Sequence, residues 1–262
     1  MMKLKNKQNI IAALAVLTSM VPARAGTPAP VLSIPPPADA NLWEFRVGLP
    51  AWISGIEGEA GAFGAVNPVD VAFKDVLPLI DMAAALSCEA RKGRWGILTC
   101  GLYMDLSDAA GTPGPLVDDL RVEVRQLILD AAVSYAVVDG ENCRVELLAG
   151  ARYNYINIGL DLTGPGGTAS TEGSNEWLDP FVGVLGRAKL SDKTTLVGKG
   201  DIGGFDVGSE LTWQVYGGLE FQLSPRWYLG VGYRYLSVDY TSGGFTYDVN
   251  TSGPQIELGF TF

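Results

Sequence analysis

The chain of 262 residues reads as an all-β protein, an antiparallel transmembrane β-barrel of about ten strands. Three observations predict it. From Leu42 to Phe262, apolar and polar residues alternate over stretches longer than the usual strand of about five or six residues. Aromatic residues collect near strand ends: Trp43, Trp95, Trp227 and Phe262 toward one end, Trp177, Trp213 and Tyr235 toward the other. Two styles of connection, tight and loose, take turns along the chain, as short periplasmic turns and longer outer loops do in such barrels.

The elements follow in order. "MMKLKNKQNIIAALAVLTSMVPARA" joins Lys3, Lys5 and Lys7 to an apolar run and an Ala23-Arg24-Ala25 site. This is the pattern of a secretory signal peptide, residues 1–25, cleaved between Ala25 and Gly26. Loss of Lys3, Lys5, Lys7 and Arg24 takes the net charge from −10 to −14. So acidic a chain argues against nucleic acid as a partner. Residues 26–41 carry Pro28, Pro30, Pro35, Pro36 and Pro37 and read as an extended periplasmic linker. The barrel then occupies 42–262.

Its first strand sets Trp43, Phe45, Val47 and Leu49 against Glu44 and Arg46. Residues 55–80 break the pattern. "GIEGEAGAFGAVNPVDVAF" reads as a small hairpin and "KDVLPLI" as a helical turn, both at the outer mouth. The remaining strands number ten. They become twelve if that hairpin crosses the membrane, and eight is the count of the smallest such barrels. In "DLRVEVRQLILDAAVSYAVV" the apolar phase changes near 125/126, and in "CRVELLAGARYNYINIGLDL" near 155/156. The two changes are equidistant from the turn at Gly140-Glu141, so they predict paired bulges where the hairpin leaves the lipid. Farther on, Leu178, Val182, Val184 and Leu190 share one face, as do Leu211, Trp213, Val215, Leu219 and Phe221. So do Trp227, Leu229, Val231, Tyr233 and Tyr235, and finally Ile256, Leu258, Phe260 and Phe262.

A soluble sandwich or lipocalin-like barrel also alternates. The strand length, the two aromatic girdles, the glycine-rich charged opposite face and the terminal aromatic weigh for the membrane. The last strand resembles the signal read by the bacterial barrel-assembly machinery, carried here by Ile256, Leu258, Phe260 and Phe262. With "ARKGRWG", "GLYMDLSD", "LVGKGDIGGF" and "GYRYLSVDY", the chain resembles small outer-membrane barrels of the OmpA/OmpX and surface-antigen kind. The resemblance implies a place in the outer membrane of a diderm bacterium, Sec export, lipid contact, and a structural or surface-exposed role.

The inward face carries Glu44, Arg46, Asp130, Arg144, Glu146, Arg152, Asp179, Arg187, Lys189, Lys199, Asp201, Glu220, Arg234 and Glu257. The two signs occur in similar numbers, and buried ions must pair or meet water. Two arrangements satisfy that need: a salt-bridged core that plugs the lumen, or a narrow path for ions and small polar solutes. Histidine is absent, so Ser-His-Asp and related enzymes are disfavoured, and Asp179 with Asp201 is the remaining carboxylate dyad. No metal or cofactor motif stands out. Cys88 and Cys100 sit on one hairpin and face lipid as free thiols or a cross-strand disulfide. The external ligand, if there is one, leaves no signature.

Overall fold

Period-two alternation gives each strand one apolar and one polar face, and a closed ring is how an antiparallel sheet disposes of its edges. The computed structural model describes residues 42–62, 64–110, 119–165 and 167–262. The predicted signal segment, its Ala25/Gly26 junction and the Pro-rich linker lie outside the described residues.

The strands are β1 (Trp43–Trp52), β2 (Gly55–Ala62), β3 (Ala65–Val71), β4 (Ile80–Lys92), β5 (Trp95–Ala110) and β6 (Asp119–Asp139). They continue as β7 (Cys143–Gly164), β8 (Gly167–Ser191), β9 (Thr194–Gly204), β10 (Leu211–Gln222), β11 (Trp227–Ser242) and β12 (Phe245–Thr261). A helical turn α1 (Phe73–Val76) and a 3-10 turn (Leu77–Leu79) precede β4. Each strand from β4 to β12 pairs antiparallel with the next, and β1 pairs with both β4 and β12, closing the ring.

The wall has ten strands because β2 and β3 add none. β2 prolongs β1 along β12 without a change of register: Trp52 faces Gln255, and Gly55 faces Ser252. β3 folds back on β2. The predicted small hairpin and helical turn are thus present at the outer end, and the hairpin is an extension of the wall.

Outward positions make an apolar belt. Leu129, Val133, Leu147, Val182, Val184, Leu196, Val215, Val231, Ile256 and Leu258 all lie exposed on it. At the tight-turn end Phe45 stacks on Phe262 with ring centroids 5.6 Å apart, Trp95 meets Tyr135 edge-on at 4.9 Å, and Trp227 meets Phe260 at 5.0 Å. At the other end Trp213 stacks on Tyr235 at 4.8 Å. These pairs form the two girdles at the interfaces. The C-terminal residues 256, 258, 260 and 262 all belong to this outward face, zipped between β1 and β11.

Four expectations are corrected. Trp177 is no girdle residue: it is 6% exposed and points into the lumen. The paired bulges near 125 and 155 are absent among the described residues, for β6 and β7 keep one register from Asp119↔Thr163 to Ala136↔Glu146. The apolar phase changes there because the lumen itself turns apolar: Ile128 and Ile156 are inward and buried, and Leu127 and Tyr155 stay outward. Two of the predicted loose loops are long paired strands. β7 and β8 pair to Gly164↔Gly167, and β11 and β12 to Ser242↔Phe245 across Gly243-Gly244, whose φ of 57° and 84° suits a mirror-image two-residue turn. Finally, Cys88 pairs with Thr99, and Cys100 with Ser87. Adjacent ladder positions face opposite sides, so Cys100 points inward and Cys88 outward, and both are free.

Beyond the membrane, β12 carries Asp248 between two like charges, Glu59 on β2 and Asp239 on β11. Burial raises the Asp248 carboxyl above the usual aspartate range, and Glu59 and Glu210 raise it further. A carboxyl raised on folding makes the hairpin most stable below its unfolded value, and that stability is lost as pH rises through the folded one. Asp248→Asn is therefore expected to slow amide exchange in β2 at neutral pH and to flatten its pH dependence. An unchanged profile would show that the facing charges are fully screened.

Candidate functional site

Among the described residues, charged and polar side chains concentrate inside the ring. The even positions of β6, β7, β10 and β11 point inward, as do the odd positions of β8, β9 and β12. Side chains that are distant in sequence therefore meet across the lumen, in three levels.

The level nearest the tight turns is an arginine-glutamate lattice. Arg46 bonds Glu220 at 2.8 Å, Arg91 bonds Glu146 at 2.8 Å and also Glu89, and Arg187 bonds Glu89 at 2.9 Å. Arg144 reaches Asp139 at 2.6 Å and Glu146 at 3.4 Å. The Arg46 guanidinium lies 4.2 Å from the Tyr228 ring centroid, and the Tyr228 hydroxyl donates to Glu257 at 2.7 Å. Gly259 is required beneath that ring: a Cβ there would overlap Tyr228. Three of these bonds join strands that are not neighbours, β1 to β10, β4 to β7 and β8 to β4.

The middle level centres on Arg152, which has no exposed surface. Its Nε donates to Asp130 at 2.8 Å, one terminal nitrogen to Asp201 at 3.0 Å, and the other to the Thr212 hydroxyl at 3.1 Å. Gln214 donates to Asp201 at 2.6 Å and to Asp130 at 3.1 Å, and accepts from Arg234 at 3.1 Å. Lys199 lies 3.8 Å from Asp130 and 3.7 Å from Asp201. Three cations thus offset two buried carboxylates, and Gln214 satisfies remaining lone pairs.

The outer level is aromatic. Trp177 stacks on Tyr240 with centroids 4.0 Å apart, with Phe245, Tyr247, Ile128, Ile156, Leu236 and Val238 around them. The indole N–H donates to Asp179 at 3.1 Å and to the Ser209 hydroxyl at 2.9 Å. Gln126 donates to the Tyr247 hydroxyl at 2.9 Å.

Most of the candidate charges meet as ion pairs, but their groupings were not legible beforehand. Arg187, Glu220 and Glu257 belong to the lowest level and Arg152, Lys199, Asp201 and Arg234 to the middle one. Asp179 belongs to neither. It is fully buried and accepts from Asn154, Trp177, Ser209 N–H and Ser209 hydroxyl, tying down the turn after β9 where Phe205 and Asp206 have positive φ. It sits about four residues, roughly 13 Å, farther up the wall than Asp201, so the two are no carboxylate dyad. Glu44 and Lys189 stay at the rim, Glu44 exposed and Lys189 beside Asp192 at 3.5 Å. Glu89, Arg91 and Gln214 are not among the candidate lumen residues, and the sequence assigns Trp177 to the outer girdle. Glu89 and Arg91 alternate with Cys88 and Ala90, and that alternation makes them legible as inward positions.

Between the lower two levels lies a cavity of about 160 Å³. One wall is apolar, with Leu98, Leu148, Phe181, Leu185 and Val197; the other is polar, with Arg46, Lys199, Gln255 and Glu257 among its residues.

No protein-family model matches the chain, and no curated protein matches it at a significant level. Among solved structures it is similar to a major outer membrane protein of Thermus thermophilus, at 15% identity and a TM-score of 0.39, covering 85% of this chain and 100% of that one. It is also similar to the translocator domain of the autotransporter NalP of Neisseria meningitidis, at 10% identity and a TM-score of 0.38, covering 98% and 95%. A third is Ail, the attachment invasion locus protein of Yersinia pestis, at 11% identity and a TM-score of 0.33, covering 85% and 99%.

Proposed function

We propose that this chain is an integral outer-membrane barrel, exported by its N-terminal signal, whose axial path is closed so that its role is structural or surface-presenting. The observation that carries this reading is Arg152: a guanidinium without solvent contact, bonded at once to residues of β6, β9 and β10. An ion crossing the middle level must break those bonds and leave Asp130 or Asp201 unpaired in a low dielectric, a large barrier. The arginine-glutamate lattice below and the Trp177–Tyr240 layer above add two further obstructions in series. Lipid covers the outer belt, and residues 256–262 engage the assembly machinery before the ring closes, when β12 is a free edge.

The test is conductance of the mature chain, residues 26–262, refolded into a planar bilayer after heat-modifiable gel migration shows that it is folded. A silent bilayer is expected. Steady single-channel steps that change on replacing Lys199 or Arg187 would replace this reading with a narrow polar channel.

A further inference from the structure

The wall is not hydrogen-bonded all the way round. β1 pairs with β4 only from Trp43↔Lys92 to Gly48↔Ser87. Pairing on that side of the strand resumes at Ile56↔Val71, between β2 and β3. Among the described residues no ladder pair joins residues 49–54 to residues 80–86. The eight residues of 72–79, with α1 and the 3-10 turn, are the insertion that parts β3 from β4. Above the interval, the backbone of Ala72 and Phe73 comes close to Gly55, where even a Cβ would sit 3.5 and 3.6 Å from it. The interval is roughly 20 Å long at about 3.3 Å per residue.

Its edges are built to stay apart. Phe45 and Phe262 exchange both backbone bonds at 3.0 Å, so the odd residues of β1 point their backbone groups at β12. The even residues point at β4, and one of them is Pro50, which has no N–H to give. On the facing stretch of β4 stand Ala83, Ala84 and Ala85, with only methyl side chains. The rim is apolar and exposed: Leu49 60%, Leu77 56%, Met82 56% and Leu86 49%. At this height, irregular backbone is tolerated only where it lines a cavity or is covered. The lumen cavity reaches the border of the interval: it is lined by Ser87, which pairs with Gly48 where the β1–β4 ladder ends, and by Gln255, the ladder partner of Trp52. The indole Nε1 of Trp52 and the amide Oε1 of Gln255 are both buried without a hydrogen-bond partner. One is a donor and the other an acceptor.

We propose that the interval between β1 and β4 is a lateral window joining the outer leaflet to the lumen cavity, and that it admits a small amphiphile carrying one hydroxyl. A hydroxyl both accepts from an indole N–H and donates to an amide oxygen, so one such group serves Trp52 and Gln255 together. A volume near 160 Å³ suits a single ring, since a dry cavity of about 150 Å³ accommodates benzene. The apolar wall of Leu148, Leu185 and Val197 receives the ring. The inference goes beyond axial closure and leaves it in place, because the route runs sideways into lipid.

Two measurements on the refolded mature chain in nanodiscs test it. In hydrogen exchange, the amides of Trp52, Ala83 and Ala85 are expected to exchange at least about 100-fold faster than that of Gly48, whose ladder is intact. Equal protection would mean a zipped wall and overturn the window. In binding, 4-bromophenol is the probe, measured against empty nanodiscs, with bromine located by anomalous scattering in crystals. Gln255→Leu is expected to weaken binding about tenfold, the loss of one hydrogen bond, and Ala85→Trp to slow entry. Should Ala85→Trp not fold, Gln255→Leu and the exchange data still decide. Bromine absent from the cavity, or binding unmoved by Gln255→Leu, overturns the site. Conductance stays silent in every one of these outcomes, so failure here is distinct from failure of axial closure.

Discussion

Arg152→Met is expected to lower the stability of the folded barrel by about 3–5 kcal/mol, the usual cost of removing one partner from a buried ion pair. Methionine roughly keeps the stem volume, so packing loss is small. What remains is Asp130 and Asp201, both essentially buried, with Lys199 no closer than 3.7 Å to either and Arg234 4.0 Å from Asp130. Lys199 has no fork to offer, and the Arg234 guanidinium donates to Gln214 instead of gripping either carboxylate. The double replacement Arg152→Met, Asp201→Asn is expected to regain part of the loss, because it removes one unpaired carboxylate and leaves Asp130 to Lys199 and Arg234. The readout is the midpoint of urea unfolding in detergent, followed by heat-modifiable migration. A single-variant loss below about 1 kcal/mol would mean that Lys199 and Arg234 take over the pairing. The same variant is the one in which conductance, if it is to appear at all, appears first.

The second large effect belongs to Trp177. Trp177→Ala is expected to cost about 3–5 kcal/mol through lost burial and a residual cavity. It also removes the indole donor from Asp179. Trp177→Phe separates the two contributions: the ring still stacks on Tyr240, and only the N–H is lost, at about 1–3 kcal/mol for the acceptor left short. Ser209 N–H still bonds Asp179 at 2.6 Å, so the turn at 205–210 should hold in the Phe variant and loosen in the Ala variant. Amide exchange at Ser209 distinguishes them. Equal protection in both would place the turn's stability elsewhere than in this residue.

Trp177 also shows where reading the sequence stopped. Counting from the tight turns assigns it to the outer interface, where tryptophan is common. Its actual direction follows from the register, since Asn154 faces it on β7 and Asn154 is inward. A phase change read along one hairpin has two physical causes, a bulge or a change in what the lumen contains. Both give the same pattern in 119–164. Only the strands across the lumen, β11 and β12, which bring Leu236, Val238, Tyr240 and Phe245 to Ile128 and Ile156, choose between them.

Alternation, girdles and turn spacing by themselves determined that the chain is a barrel of about ten strands, which face of most strands meets lipid, and that both signs of charge line the lumen. These are period-two properties, local to each strand. Tertiary structure alone decided which arginine meets which carboxylate, that Cys88 and Cys100 look opposite ways, and that Asp179 holds a turn rather than joining Asp201. It also decided that residues 49–54 and 80–86 do not pair with each other. Partners across a ring depend on how every strand is staggered against its neighbour, and a shift of a single residue in one ladder moves each inward side chain to the other face.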